Sequence, residues 1–178
     1  ASWGRAKNFA GFSLDIGQSV VIETTLRLDD ADGIFSNADN FRIGLAESDL
    51  NSGQFIPSIG AVLHTDADGN YWFGGTNAGS RIAVGAADAG DWIRFSQQIT
   101  RSAVSNEFIC EVAASNLTDA VDLGSAASWT ESTADGSWGG TMSPSFRALA
   151  NAQATALQID QWTAFIPDPP QIIQRKTV

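Results

Sequence analysis

Residues 19–29 read SVVIETTLRLD. Val20, Ile22, Thr24, Leu26 and Leu28 occupy every second position, with Val21, Glu23, Thr25 and Arg27 between them. Successive side chains of a β-strand point to opposite faces, so this alternation predicts a strand with one face in a core and one face open. The β-branched residues suit an extended backbone. DDADG at 29–33 then breaks the run.

The same texture continues along the chain. FRIGLAES (41–48) sets Phe41, Ile43 and Leu45 inward, with Arg42, Gly44 and Ala46 opposite. SIGAVLHT (58–65), NYWFGGT (70–76) and SRIAVGA (80–86) are further short runs. DWIRFSQQIT (91–100) puts Ile93, Phe95 and Ile99 on one face and Trp92, Arg94, Ser96 and Gln98 on the other. NEFICEVAAS (106–115) opposes Phe108, Cys110 and Val112 to Glu107, Ile109 and Glu111, and ALQIDQWTAFI (156–166) closes the series. SFRALANAQAT (145–155) reads either as a strand and a loop or as a short helical turn. Turn cues at 30–33, 66–69, 87–90 and 134–137 are irregularly spaced, so this is not a repeat protein. Roughly eight to twelve strands with very little helix predict an all-β, two-sheet antiparallel sandwich.

The 178 residues suit one domain, expected over 1–166. The Pro-rich segment 167–178 reads as an extension or linker. The chain is 17% charged with a net charge of −10. That balance argues against nucleic acid, whose phosphates need clustered Lys and Arg, and against acidic membrane surfaces. No apolar run reaches the ~18 residues of a membrane span, so no membrane insertion is expected. Uncharged glycans and cations remain compatible partners. The single cysteine, Cys110, allows no internal disulfide and reads as a buried thiol. Nothing pairs it with His64, the one histidine, and no G-x-S-x-G or Walker A motif is present. The chain starts at Ala1. Removal of a signal peptide or trimming of the chain would each explain this. With few lysines and many small polar residues, the expectation is a secreted, extracellular protein.

The succession SVVIETTLRLD, NFRIGLAES, YWFGGT, DWIRFSQQITR and ALQIDQWTAFI resembles the secreted concanavalin-like jelly rolls, with their laminin-G-like and legume-lectin-like branches, common in bacterial exported proteins. The likeness covers most of residues 12–166 and lies in strand order and texture. It implies a jelly-roll sandwich that handles carbohydrate. The glucanase branch carries E-x-D-x-E or E-x-D-x-x-E on a strand. Here Glu47-Ser48-Asp49 continues as Leu50-Asn51-Ser52, so the expectation is no enzyme.

Where such a fold has a concave sheet, its non-core face forms a groove. Arg42, Trp92, Arg94, Gln98 and Glu111 would then line it, provided their strands share a sheet. Sugar hydroxyls need paired donors and acceptors, and a ring needs a flat apolar partner. The alternative for these residues is a solvated face with cross-strand ion pairs. Trp129 and Trp138 lie in a long, weakly patterned stretch, as stacking platforms or as plugs at the ends of the sandwich. Glu23, Glu111 and Asp160 could supply a glycosidase pair only if they are neighbours. Calcium has two candidate loops: Asp30 and Asp32, with Asp29 and Asp39 nearby, and Asp66 and Asp68. Each would need further oxygens to complete a hard-cation shell. Residues 64–75, HTDADGNYWFGG, cannot be an EF-hand. Aligning Gly69 with its obligatory glycine puts His64 and Gly75 where an acid and a bidentate glutamate belong. Asp68-Gly69 then reads as a hairpin corner. Asn116-Leu117-Thr118 matches the N-glycosylation pattern.

Two functions follow: a secreted glycan-binding module, or a structural or adhesive subunit of an extracellular assembly that makes protein contacts through its termini and exposed aromatics.

Overall fold

The computed structural model describes residues 13–28, 41–47, 59–65, 71–74, 81–83, 90–104, 107–123, 127–132, 142–148 and 157–167. Among them lie eleven strands and no helix: β1 (Ser19–Leu28), β2 (Phe41–Glu47), β3 (Ile59–Thr65), β4 (Tyr71–Gly74), β5 (Arg81–Ala83), β6 (Trp92–Arg101), β7 (Glu107–Asn116), β8 (Val121–Asp122), β9 (Ala127–Ser132), β10 (Met142–Ala148) and β11 (Leu157–Phe165). One sheet runs β11-β1-β6-β7-β8, with β9 also pairing β7 as its sixth strand. The other runs β10-β2-β3-β4-β5. Every described pairing is antiparallel. The chain is thus the expected two-sheet jelly-roll sandwich.

The alternating pattern of 19–28 sets the core. Val20 faces Ile99, which faces Cys110, which faces Trp129. Ile22 aligns with Gln97 and Val112, Thr24 with Phe95 and Ala114, and Leu26 with Ile93 and Asn116. Directly paired residues point to the same side of a sheet, so these rows form one inner face. All of them are buried except Trp129, which is partly exposed. Phe95 and Phe108 are the largest fully buried side chains. Ile43, Leu45, Ile59 and Ala61 come from the opposite sheet and close the core. Full burial of side chains this size is worth roughly 1.5–3 kcal/mol each.

Two polar side chains cross the core to the facing sheet. The Gln97 carbonyl oxygen accepts the Ala61 N–H at 3.1 Å, and a Glu131 carboxylate oxygen accepts the Gly60 N–H at 2.8 Å. Consecutive N–H groups normally alternate sides along a strand. Here Gly60 has φ of +136°, a conformation that glycine adopts readily. Gly60 also lies directly opposite Gly44. A Cβ on Gly44 would run into the Ile59 carbonyl, and one on Gly60 would lie 2.6 Å from the Gly44 Cα and 2.8 Å from Gln97 Nε2. The glycine pair lets β2, β3 and the Gln97 side chain meet.

Pro144 lies within β10, opposite Leu45. β10 is an edge strand among those described, where a missing N–H is tolerated. The ambiguous stretch after residue 145 is therefore strand as far as Ala148. Thr65 pairs with Tyr71, so β3 and β4 form the expected hairpin. Its corner, with Asp66 and Asp68, lies outside the described residues, as do Asp30 and Asp32.

Candidate functional site: the outer face of the six-stranded sheet

The outward positions of β6 carry Trp92, Arg94, Ser96 and Gln98, as the alternation requires. Arg94 aligns with Thr25 on β1 and Ser115 on β7; Gln98 aligns with Val21 and Glu111. Trp92, Arg94, Gln98 and Glu111 therefore share one sheet face. They are not one cluster. At ~3.4 Å per residue, Trp92 and Gln98 stand roughly 20 Å apart. Gln98 Nε2 donates to the Ser19 hydroxyl at 3.3 Å, which ties it to the far end of the face.

Arg42 is separated from this set. Its strand, β2, belongs to the five-stranded sheet, where it pairs with Arg147 and Val62. Alternation assigns a residue to a face but not a strand to a sheet, and the shared-sheet condition fails here. Trp129 is also elsewhere. It pairs with Cys110, packs against the core, and has a buried indole nitrogen with no hydrogen-bond partner among the described residues. Trp138 lies outside the described residues. None of Glu23, Glu111 and Asp160 faces another acid. Glu23 aligns with Ser96 and Thr163, Glu111 with Gln98 and Ser128, and Asp160 has no aligned partner.

The Trp92 end of the face holds an open depression of about 290 Å³, lined by Thr25, Trp92, Leu117, Thr118 and Asp160. Three local devices build it. The first is a β-bulge: Thr25 aligns with Gln161 but Leu26 with Ile159, leaving Asp160 as the extra residue. Asp160 and Gln161 are both exposed. A bulge turns neighbouring side chains toward one side and twists the strand.

The second device is Asn116, which is fully buried. Its amide nitrogen donates to Asp91 at 2.7 Å and Asp119 at 3.1 Å, and its oxygen accepts from the Thr118 and Asp119 N–H groups at 2.9 and 3.2 Å. Side-chain bonds to the backbone two and three residues on make a turn. The amide nitrogen is thus occupied, and the glycosylation pattern here is a structural turn.

The third device joins that turn to β6. The Trp92 N–H donates to the Thr118 hydroxyl at 3.0 Å, and the Trp92 carbonyl accepts the Leu117 N–H at 2.7 Å. Thr118 keeps its own hydrogen to donate elsewhere. Ala120 completes the turn at φ of +56°, unusual for a residue with a Cβ. Chemically the depression offers a partly exposed indole, two hydroxyls and a carboxylate.

Leu117 and Thr118 were not among the expected contacts; alternation had put Thr25 on the open face of its strand, and Asp160 had been considered only as a candidate acid. The NLTD stretch is readable as a turn, but the bulge leaves no mark on the sequence.

Cys110 is buried. Burial, and then the nearby Glu131 charge, push its thiol well above the usual range, so it is no nucleophile. His64 lies on β3, in the other sheet from Cys110. No three His, Cys, Asp or Glu side chains among the described residues form a group that could hold a metal ion. Both candidate calcium loops lie outside those residues.

No protein-family model matches the sequence, and no curated protein matches it. Solved structures do match in fold. Peanut lectin with a nine-residue peptide, PVIWSSATG, has a TM-score of 0.53 at 9% identity, over 94% of this chain and 86% of that chain. The Lotus tetragonolobus seed lectin covers 94% and 82% at 11% identity, with a TM-score of 0.47. The lectin UEA-II complexed with galactose covers 83% and 71% at 16% identity, with a TM-score of 0.42. The peanut lectin likeness is one of architecture: the chain has the concanavalin-like β-sandwich fold of a legume lectin.

Proposed function

We propose that this chain is a non-catalytic glycan-binding module that takes its ligand on the outer face of the six-stranded sheet, at Trp92. The observation that carries this reading is the depression in which Trp92 meets Thr25, Thr118 and Asp160. A pyranose has an apolar face of C–H groups and a rim of hydroxyls. An indole suits the face, and hydroxyl and carboxylate groups suit the rim. The volume of about 290 Å³ suits one or two sugar rings rather than a buried drug-like ligand. The few lysines and many small polar residues support export to the extracellular space.

The test is a glycan array followed by calorimetry. The expected result is binding to at least one glycan, weakened about tenfold or more by Trp92→Ala with the melting temperature kept. An empty array, or binding indifferent to Trp92→Ala, contradicts the reading.

A second reading, assembly with other subunits, is favoured by one observation. Phe165 and Ile166 are exposed at the end of β11, an edge strand among those described. Light scattering decides it: a monomer at high concentration removes self-association.

A further inference from the structure

The two surface features nearest Trp92 that break the regular sheet have one consequence in common. The bulge places Asp160 at the depression, and the Asn116 turn places Thr118 there. Asp160 is exposed, and no hydrogen bond or ion pair engages its carboxylate among the described residues. In a regular ladder, residue 160 would alternate with Gln161 and point inward. The extra residue leaves both exposed.

Resting on the glycan reading, we propose that Asp160 is the specificity-determining residue of the site and selects neutral sugars with adjacent free hydroxyls. A carboxylate has only acceptor oxygens and can receive two parallel O–H donors. Two vicinal equatorial hydroxyls present such a pair. The Thr118 hydroxyl hydrogen can meet a ring or hydroxyl oxygen, and Trp92 covers the apolar face. A uronic acid brings its own carboxylate beside Asp160, with Asp119 exposed on the turn that carries Thr118; the exposed Arg94, aligned with Thr25, is the cation these two carboxylates must outweigh. Like charges at that range repel, and the net charge of −10 repels the same ligands at a distance. The bulge therefore supplies both the attractive and the repulsive half of the selection.

The experiment uses the whole chain against two probe sets, galactan, mannan and glucan oligosaccharides on one side and oligogalacturonates on the other. Wild type, Asp160→Asn and Trp92→Ala are compared by calorimetry. The expected result is that wild type binds a neutral member and not the uronates. Asp160→Asn should weaken the neutral ligand roughly tenfold to a hundredfold, the loss of charged hydrogen bonds. It should also narrow the gap to the uronates. Neutral binding that Trp92→Ala abolishes and Asp160→Asn leaves intact overturns this inference and keeps the glycan site. Wild-type binding to uronates in preference to neutral oligosaccharides overturns it as well. No binding by wild type to either set, or binding unchanged by Trp92→Ala, overturns the glycan reading and this inference together.

Discussion

Asn116 satisfies all of its amide's main hydrogen-bonding positions without any solvent contact. Removing it leaves two carboxylates and two N–H groups to find new partners. Asn116→Ala should cost at least about 1–3 kcal/mol in urea unfolding, the penalty for a buried polar group losing its partner. Asn116→Asp should cost more, because it sets a third carboxylate against Asp91 and Asp119. Cys110 gives a pH prediction. Its thiol is held above the ordinary value of 9.0 in the folded chain. The folded chain thus keeps a proton that the unfolded chain releases. This contribution is complete below the unfolded value and is lost as pH rises past about 9, at up to ~1.4 kcal/mol per pH unit. Stability measured from pH 7 to 10 should fall more steeply for wild type than for Cys110→Ala; parallel curves would contradict it. That Cys110 is buried was readable from its apolar neighbours. That Asn116 is a buried hub was not, because a polar triplet looks the same in a solvated loop.

β1, β6 and β7 were legible as elements because each carries long period-two alternation that matches one buried face; β11 was legible as a closing strand although its bulge interrupts the alternation. β9 was not. It lies in a stretch rich in Ser, Ala and Thr, and it earns strand structure by pairing with β7 over Glu107–Val112 rather than by its own pattern. Its residues Trp129 and Glu131 face the core, and Glu131 reaches β3. Single changes to this inter-sheet contact should be costly. Glu131→Ala leaves the buried Gly60 N–H without its acceptor and should cost about 1–3 kcal/mol. Gly44→Ala must displace the Ile59 carbonyl and should cost a similar amount through overpacking. Denaturant midpoints for the two variants check both values. An unchanged midpoint for Gly44→Ala would mean that β2 and β3 do not approach as closely as described.

At the scale of the molecule, alternation specified two layers but not which strands share a layer. Arg42 shows why. Its neighbours Ile43 and Leu45 are buried as the alternation requires, but β2 joins β3 and β10, and no local signal reports a partner distant in sequence. Sheet order arises from tertiary packing, so a face spread over several strands is legible only in part: that Trp92 and Arg94 share a face was readable, while the placement of Asp160 and Thr118 beside Trp92 depended on a bulge and a turn. Glycan recognition is proposed where these residues meet. Heteronuclear NMR titration with a glycan identified on the array tests it most directly. The account predicts shift changes concentrated on Thr25, the Trp92 indole, Leu117, Thr118 and Asp160. Changes confined to the five-stranded sheet and its loops, with the Trp92 indole unmoved, would contradict it.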